Sequence, residues 1–324
     1  MPPALVLEHV TKRYGAIVAV NDLSIEVARG EMFGLIGPDG AGKTTSIRLL
    51  CGLLHADGGK VRVLDQDPVA QHRAVTAQVG YLSQRFSLYG DLSIDENIAF
   101  FAEIHGASDY HVRRDRLLEL TQLLPFRQRL ADQLSGGMKQ KLALACTLVH
   151  EPQVILLDEP TTGVDPVSRR EFWKLLSQFL AQGITILMST PYLDEAERCT
   201  RVALLHEGRL LALDTPGRLR AALPGRLFEV IVPNPREALR LLRARPEFAD
   251  AQVFGDRVHV WAPSTGLGAE AATDHDDETE RMTHLIRAAG LQASSVRPIL
   301  PSLEDVFIAK LAEARRTETV RQTT

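Results

Sequence analysis

The amino-acid sequence predicts an α/β domain with an inserted helical lobe, followed by a small α+β domain. Short continuous apolar runs, of the kind buried in a parallel sheet, alternate with helical patterns over residues 1–222. Apolar positions three or four apart dominate residues 93–149, which indicates helices inserted into that domain. A cluster of Pro and Gly at 215–225 marks a boundary. We predict domains at 1–222 and 223–314, a helical subdomain at about 85–150 and a flexible tail at 315–324.

The strands of the first domain are short and mostly apolar. We predict strands at 5–10, 32–36, 79–82, 154–157, 184–188 and 202–205, and two short strands within 16–27 around the turn signal Asn21-Asp22. Helical spacing predicts helices at 44–54 and 169–180. Ser93 and Glu96 have the spacing of a capping box, which begins a helix.

The second domain mixes both kinds of element. We predict strands at 227–232 and 258–261 and helices at 235–243, 282–289 and 303–314. The acidic stretch at 274–280 is expected to be a solvated loop, with cation binding as the alternative.

Composition and charge restrict the class of protein. The chain has 324 residues, of which 45% are apolar and 24% charged, as in soluble globular proteins. A net charge of −4 argues against nucleic acid as the main partner. Cys51, Cys146 and Cys199 lack metal-binding spacing and are expected to be buried thiols of a reducing compartment. Without a signal peptide or an apolar run of about 18 residues, we expect a cytoplasmic chain that reaches a membrane only through a partner.

A glycine-rich segment between a strand and a helix predicts a phosphate-binding loop. Its residues are Gly37, Pro38, Asp39, Gly40, Ala41, Gly42, Lys43, Thr44 and Thr45. The glycines let backbone N–H groups surround a β-phosphate, Lys43 is expected to reach the β- and γ-phosphates, and Thr44 to ligate Mg²⁺. Asp39 is acidic beside an anion, so we expect its side chain to point outward.

Two acids follow a buried strand at the edge of the sheet where a nucleotide binds. Asp158 ends the strand and is expected to hold the Mg²⁺ shell. Glu159 can orient or deprotonate a water that attacks the γ-phosphate. The alternative is an acidic pair that makes only surface salt bridges.

Two further residues are weaker candidates. Gln84 closes the strand at 79–82, where its amide can touch both the metal shell and the attacking water. Tyr14 follows the first strand, where its ring could stack on a purine. Each could instead be an ordinary surface residue.

A second glycine-rich turn predicts a second anion-binding feature. Ser135, Gly136 and Gly137 stand where a helix is expected to begin, and a hydroxyl, free backbone amides and a positive helix end suit a phosphate. The chain is therefore expected to carry two half-sites.

Together these residues resemble those of the ATP-binding cassette (ABC) ATPases, over about two-thirds of the chain. The matching segments are Tyr14 (adenine-stacking loop), Gly37–Thr45 (Walker A), Gln84 (Q-loop), Leu134–Gln140 (signature), Val154–Glu159 (Walker B) and Gly163–Asp165 (D-loop). The resemblance implies a P-loop NTPase cassette, ATP and Mg²⁺ as ligands, and two cassettes that sandwich ATP between the Walker motifs of one and the signature of the other. Asp165 then contributes to the nucleotide site.

A finer resemblance is to ATPases that serve ABC-2-type exporters, the daunorubicin-resistance and multidrug-efflux group. Tyr192–Glu197 and Pro301–Ile308 look like marks of that group. The resemblance implies a C-terminal extension after the cassette, membrane permease subunits as partners and a location on the inner face of the membrane. It does not indicate a cargo.

Pro191 departs from the family pattern, which has a switch histidine at this position. Proline offers no side-chain donor or acceptor, so it cannot touch the γ-phosphate or help to hold Glu159. The chain's own site is then impaired while its signature completes the site of a partner, which favours a heterodimer with a second cassette. A homodimer in which Glu159 suffices is the alternative.

The sequence leaves other functions open. A non-transport ABC ATPase acting on ribosomes or DNA would be expected to carry a second cassette or long coiled coils, and the sequence shows neither. A nucleotide-gated scaffold would bind ATP without hydrolysing it. The aromatic residues at 84–92, among them Phe86 and Tyr89, could dock a permease helix or could simply pack the helical lobe.

Overall fold

The computed structural model describes residues 2–84, 88–245, 248, 250–262 and 275–322. The chain forms two compact units, one of residues 1–216 and 310–324 and one of residues 217–309. Among the described residues, no helix combines the length and the apolar character that crossing a membrane requires.

Nine strands lie among the described residues of the first unit. They are β1 (Leu5–Tyr14), β2 (Ile17–Val27), β3 (Met32–Ile36), β4 (Gly58–Val63), β5 (Val79–Leu82), β6 (Val154–Asp158), β7 (Thr185–Thr190), β8 (Arg201–His206) and β9 (Arg209–Asp214). The order β2-β1-β4 forms an antiparallel sheet, and the order β5-β6-β7-β3-β8-β9 forms a mixed sheet that is parallel except at β9. The predicted mixed-sheet α/β class is confirmed.

The helices of the first unit follow the same chain order. They are α1 (Lys43–Leu50), α2 (His72–Thr76), α3 (Ile94–Ile104), α4 (His111–Leu120), α5 (Gly136–Leu148), α6 (Pro166–Ala181) and α7 (Leu193–Ala196), with α8 (Pro216–Ala221) at the boundary between the units. Ser93 and Glu96 form the predicted capping box of α3, in which each side chain accepts from the backbone N–H of the other. The first long helix of the inserted lobe therefore begins at the residue that the capping box predicts.

One buried cluster joins both sheets to α1. Leu7 of β1, Phe33 of β3, Ile47 and Leu50 of α1 and Leu156 of β6 all belong to it. These side chains are at most 3% exposed. Because α1 is packed in this cluster at the end of β3, its first turn is fixed against the carboxyl edge of the mixed sheet.

The predicted break at Asn21-Asp22 is wrong, because β2 continues through it and pairs with β1 from Ile17 to Val27. Asp22 does have the turn-like backbone that its sequence suggested, with φ of 53°. The pairing with β1 absorbs it through register shifts of the β-bulge type. A local turn signal therefore produced an irregularity rather than a strand end.

The second unit has an order of elements typical of the split β-α-β fold. Its elements are β10 (Arg226–Ile231), α9 (Pro235–Arg243), β11 (Asp250–Phe254), β12 (Arg257–Ala262), α10 (His275–Ala288) and β13 (Ser295–Ile299), after which α11 (Leu303–Gln322) begins. The antiparallel sheet has the order β11-β12-β10-β13. Phe228 and Val260 of the sheet, Leu242 of α9 and Ile286 of α10 lie in one buried core.

Two expectations for this part of the chain are wrong, and two of its strands were not predicted. Residues 275–280 begin α10 instead of forming a loop, while Asp274 lies outside the described residues. Acidic residues are favoured in the first turn of a helix, so the charge pattern also fits a helix start. The strands β11 and β13 were not predicted, and α11 continues past residue 314 to Gln322.

A buried hydrogen bond between a histidine and a carboxylate holds the start of α11 against the sheet of the second unit. His259 Nδ1 lies 2.8 Å from Asp305 Oδ1. Asp305 Oδ2 accepts from the backbone N–H of Ser302 at 2.8 Å and from its hydroxyl at 2.7 Å. Burial raises the pKa of Asp305, but the hydrogen bonds from His259 and Ser302 outweigh it and the pKa is lowered.

We expect Asp305→Asn to lower the free energy of unfolding at pH 7 by about 1–3 kcal/mol, because it leaves His259 with a weaker buried partner. A carboxylate with a lowered folded-state pKa stabilises the fold above its unfolded pKa of about 3.9 and loses that contribution as the pH falls through the folded value. Urea unfolding of the full chain at pH 7 and at progressively lower pH should therefore show the difference shrinking. Glu304→Gln, on the exposed neighbour, is the matched control. An equal effect of both variants would contradict this role of Asp305.

Candidate functional site

The phosphate-binding loop occupies the turn between β3 and α1. Gly42 precedes the first residue of α1 with φ of 95°, a left-handed conformation that favours glycine. A Cβ at this position would collide with the carbonyl oxygen of Ala19 in β2. The loop can therefore approach β2 closely only because this residue has no side chain.

Lys43 is the first residue of α1 and is buried against this loop. Its Nζ donates to the carbonyl oxygens of Gly37 at 2.8 Å and of Pro38 at 3.0 Å. The same atom lies 3.2 Å from Glu159 Oε1. The ammonium group is thus held by the loop itself and by the acid that follows β6.

Asp158 lies at the carboxyl end of β6, as predicted. Its Oδ1 accepts from Thr44 Oγ1 at 3.1 Å and from Ser189 Oγ at 2.6 Å. Carboxylate and hydroxyl oxygens are ligands that Mg²⁺ prefers. Thr44 and Asp158 therefore form a donor set that fits this cation.

Glu159 follows directly and is 8% exposed. Its φ of 48° is a left-handed conformation that is unusual for a residue with a side chain. Its backbone N–H donates to Ser189 Oγ at 2.9 Å. Its Oε2 accepts from Gln84 Nε2 at 3.0 Å, so the structure brings Gln84 and Glu159 together.

Lys43, Thr44, Gln84 and Glu159 border a cleft of about 530 Å³. Its lining residues are Ile17, Val18, Ala19, Asp39, Gly40, Ala41, Gly42, Lys43, Thr44, Thr45, Gln84, Glu159 and Glu207. Asp39 is exposed, which fits an outward side chain. Tyr14 is 45% exposed and is not among the lining residues, so adenine stacking by Tyr14 stays a prediction.

The second glycine-rich turn begins α5, away from the cleft lining. Ser135 is the N-cap of this helix, and its Oγ accepts from the backbone N–H of Met138 at 3.3 Å. A Cβ at Gly137 would collide with Ser168 in the first turn of α6. Asp165 is the N-cap of α6, where its Oδ1 accepts from the backbone N–H of Ser168 at 3.0 Å. The signature turn and the D-loop are thus packed against each other, with Ser135, Gly136 and Asp165 exposed.

Pro191 directly follows β7, beside the strand that ends in Asp158. No histidine is among the described residues that line the cleft. The two residues before Pro191, Ser189 and Thr190, end β7 and are both buried.

The three cysteines are buried, and burial raises the pKa values of Cys51 and of Tyr81. Cys51, Cys146 and Cys199 are free and buried, which confirms the predicted buried thiols. Burial, and then the charge of Asp158, raises the pKa of Cys51 above its ordinary value. The same two causes raise the pKa of Tyr81 in β5 to about 12. These groups stay neutral beside Asp158 at physiological pH.

The predicted docking segment is described only in part, because Arg85 and Phe86 lie outside the described residues. Tyr89 is 46% exposed and its ring lies 4.5 Å from that of Phe100 in α3, in an edge-to-face arrangement.

Sequence reasoning missed other participants in the site. Ser189 connects Asp158 with the backbone of Glu159, and its position at the end of the neighbouring strand β7 is the signal that could have found it. Ile17, Val18, Ala19 and Glu207 line the cleft without any motif of their own.

Comparison with known proteins gives a consistent result. A family model described as ABC transporter matches residues 20–162. The chain is 42% identical over 306 residues to the probable multidrug ABC transporter ATP-binding protein YbhF of Escherichia coli (strain K12), a match that covers 93% of this chain and 50% of that protein. It thus spans about half the length of that relative.

Other relatives match over nearly their whole length. The chain is 34% identical to the daunorubicin resistance ATP-binding protein DrrA3 of Streptomyces coeruleorubidus, covering 97% of this chain and 98% of that protein. It is 37% identical to the Nod factor export ATP-binding protein I of Rhizobium sp. (strain N33), covering 94% and 96%. A solved structure of the ATP-binding subunit of an ABC transporter matches with a TM-score of 0.62 and 31% identity, over 67% of this chain and 92% of that chain. The chain belongs to the ATP-binding proteins of ABC transporters, a family of ATPases.

Proposed function

We propose that this chain binds and hydrolyses ATP with Mg²⁺ and thereby powers an ABC-2-type membrane exporter. The observation that carries this proposal is the convergence of Lys43, Thr44, Asp158, Glu159 and Gln84 at the carboxyl edge of one sheet. Each group has a distinct task in phosphoryl transfer to water, and all of them except Asp158 line the cleft.

The residues divide the chemistry between them. Lys43 neutralises charge on the β- and γ-phosphates when it exchanges the carbonyls of Gly37 and Pro38 for phosphate oxygens. Glu159 orients the attacking water and accepts its proton, and Gln84 fixes the carboxylate from its other side. Mg²⁺, held by Thr44 and Asp158 with Gln84 near its shell, would supply charge neutralisation at the phosphates.

The signature turn is proposed to act on a nucleotide held by a second cassette. Ser135 and Gly136 are exposed and do not line the chain's own cleft, which supports this assignment. Pro191 supports unequal sites, since this loop offers no imidazole to its own nucleotide. We therefore favour a heterodimer with a histidine-bearing cassette over a homodimer.

The exporter partner is proposed from the relatives, which are named for multidrug transport, daunorubicin resistance and Nod factor export. By this analogy the chain would lie in the cytoplasm, peripheral on the inner membrane, bound to ABC-2-type permease subunits. The net charge of −4 gives no support to nucleic acid as a partner.

Lys43→Ala tests nucleotide binding by this cleft. Removing the only ammonium group that lines it among the described residues should weaken ATP binding about 10- to 100-fold, as expected for loss of a charge-assisted contact. Binding of a fluorescent ATP analogue to the purified full chain measures this. Lys60→Ala, an exposed lysine outside the cleft, is the control. Unchanged affinity in Lys43→Ala would contradict the proposed site.

A nucleotide-gated scaffold is the second candidate, and Pro191 is the observation that favours it. In this case ATP binding drives cassette closure while turnover occurs only at the partner's site. Turnover by the isolated chain distinguishes the two functions.

A further inference from the structure

A buried carboxylate outside the nucleotide cleft joins three segments of the first unit. Glu195 lies in α7, is 1% exposed and does not line the cleft. Its Oε1 accepts from Thr161 Oγ1 at 2.5 Å, and its Oε2 accepts from Thr190 Oγ1 at 2.7 Å. Arg169 Nε, in α6, lies 3.5 Å from Glu195 Oε1. One side chain thus contacts residues of a loop, a strand and a helix.

The burial of this cluster makes its bonds mutually dependent. Thr161 and Thr190 are each 1% exposed, like Glu195 itself. A buried carboxylate is costly unless its oxygens are satisfied, and hydroxyl donors at these distances form strong charge-assisted bonds. Loss of the carboxylate would leave two buried hydroxyls without their acceptor, so both loops would be released together.

Two of the residues that contact Glu195 are close in sequence to Glu159 and to Pro191. Thr161 follows Glu159 by two positions, in a turn where the backbone N–H of Thr162 donates to the carbonyl oxygen of Glu159 at 3.2 Å. Thr190 directly precedes Pro191, and its Oγ1 also accepts from the backbone N–H of Tyr192 at 3.1 Å. The two oxygens of Glu195 therefore link the loop of Glu159 to the loop of Pro191.

The third contact leads to the D-loop. Arg169 lies in the first turns of α6, the helix that Asp165 caps. Its guanidinium carbon lies 4.8 Å from the ring centre of Tyr192, so it contacts the Pro191 loop a second time. Arg169 therefore connects Glu195 and the Pro191 loop to the start of α6.

We propose that Glu195 is a positioning residue for ATP hydrolysis, which sets the loop of Glu159, the loop of Pro191 and the start of α6 in one fixed arrangement. This inference rests on the proposed function. It matters more in this chain than it would beside a histidine, because Pro191 has no side-chain group with which to orient its own loop on the nucleotide.

Glu195→Ala should lower kcat about 100-fold, the loss that follows when a reacting group is misplaced by about 1 Å. The affinity for ATP should stay within about twofold, because Lys43 and Thr44 are not among its contacts. Glu195→Gln should retain most of the activity, since its amide can still bond both hydroxyls. Steady-state kinetics and binding of a fluorescent ATP analogue to the full chain measure both quantities.

Glu31→Ala is the matched control for Glu195→Ala, because Glu31 is a buried carboxylate of the same unit that pairs with Arg201 away from the cleft. A purely structural role of Glu195 predicts that both variants lose stability and activity alike. That result, or a kcat of Glu195→Ala within about twofold of the wild type, would overturn the inference while leaving the proposed function intact.

A second measurement decides the matter if the wild-type chain shows no turnover, which would count against the proposed function instead. In a Glu159→Gln background, ATP-dependent dimerisation can be followed by analytical ultracentrifugation. Adding Glu195→Ala should raise the ATP concentration needed for dimerisation at least about tenfold, since the D-loop and Pro191 loop are displaced. An unchanged concentration would refute the positioning role.

Discussion

Replacing Glu159 by Gln should lower ATP turnover about 10²- to 10⁴-fold, the usual contribution of a general base. The amide keeps the size of the side chain and can still contact Gln84, but it cannot accept a proton from water. The affinity for ATP should not fall, because the variant keeps Lys43 in its loop and removes a negative charge from the neighbourhood of the phosphates. Phosphate release by the purified chain, with and without its partner cassette, measures the change.

Glu207→Gln provides a matched control, since Glu207 also lines the cleft but is exposed. It should leave turnover within a few-fold of the wild type, because it lacks contact with Asp158 or Thr44. A Glu159→Gln chain that hydrolyses ATP at the wild-type rate would instead favour the nucleotide-gated scaffold.

Introducing histidine at position 191 should raise turnover at the chain's own site about 10²- to 10³-fold, the usual value of one transition-state contact. The new imidazole would stand at the end of β7, next to the strand that ends in Asp158, and could reach the γ-phosphate and Glu159. Single-turnover hydrolysis by the isolated chain, in which the signature of a second copy would complete the site, is the appropriate measurement, because it excludes the partner's site.

Pro191→Ala distinguishes the effect of adding an imidazole from the effect of removing the proline ring. If alanine accelerates the reaction as much as histidine does, the proline ring and not the missing side chain limits the rate. If neither variant differs from the wild type, the asymmetric pairing has lost its support and the homodimer is preferred.

Most of the mixed sheet could be predicted from the sequence, because its strands are buried on both faces and read as continuous apolar runs. The strand Val79–Leu82 was predicted with its observed bounds. The edge strands β11 and β13 were missed for the opposite reason. Each has a single neighbour in the sheet, and their polar residues, with Pro298 in β13, weaken the strand signal.

The candidate site was predictable where the chemistry depends on a short segment. The spacing of its glycines predicts the phosphate loop, and position at the end of an apolar strand predicts the roles of Asp158 and Glu159. The role of Ser189 and the contact between Gln84 and Glu159 depend on parallel pairing of β5, β6 and β7, which brings distant residues to one edge. Glu195 could not be assigned from the sequence, because three partners far apart in the chain define its role.

The division of the chain into units affects any attempt to shorten it. Residues 310–324 belong to the same compact unit as residues 1–216, although the second unit lies between them in the sequence. A stop codon after residue 222 would therefore delete part of the first unit along with the second. A shortened chain that keeps every residue of the first unit must therefore retain residues 310–324, which follow the second unit in the sequence.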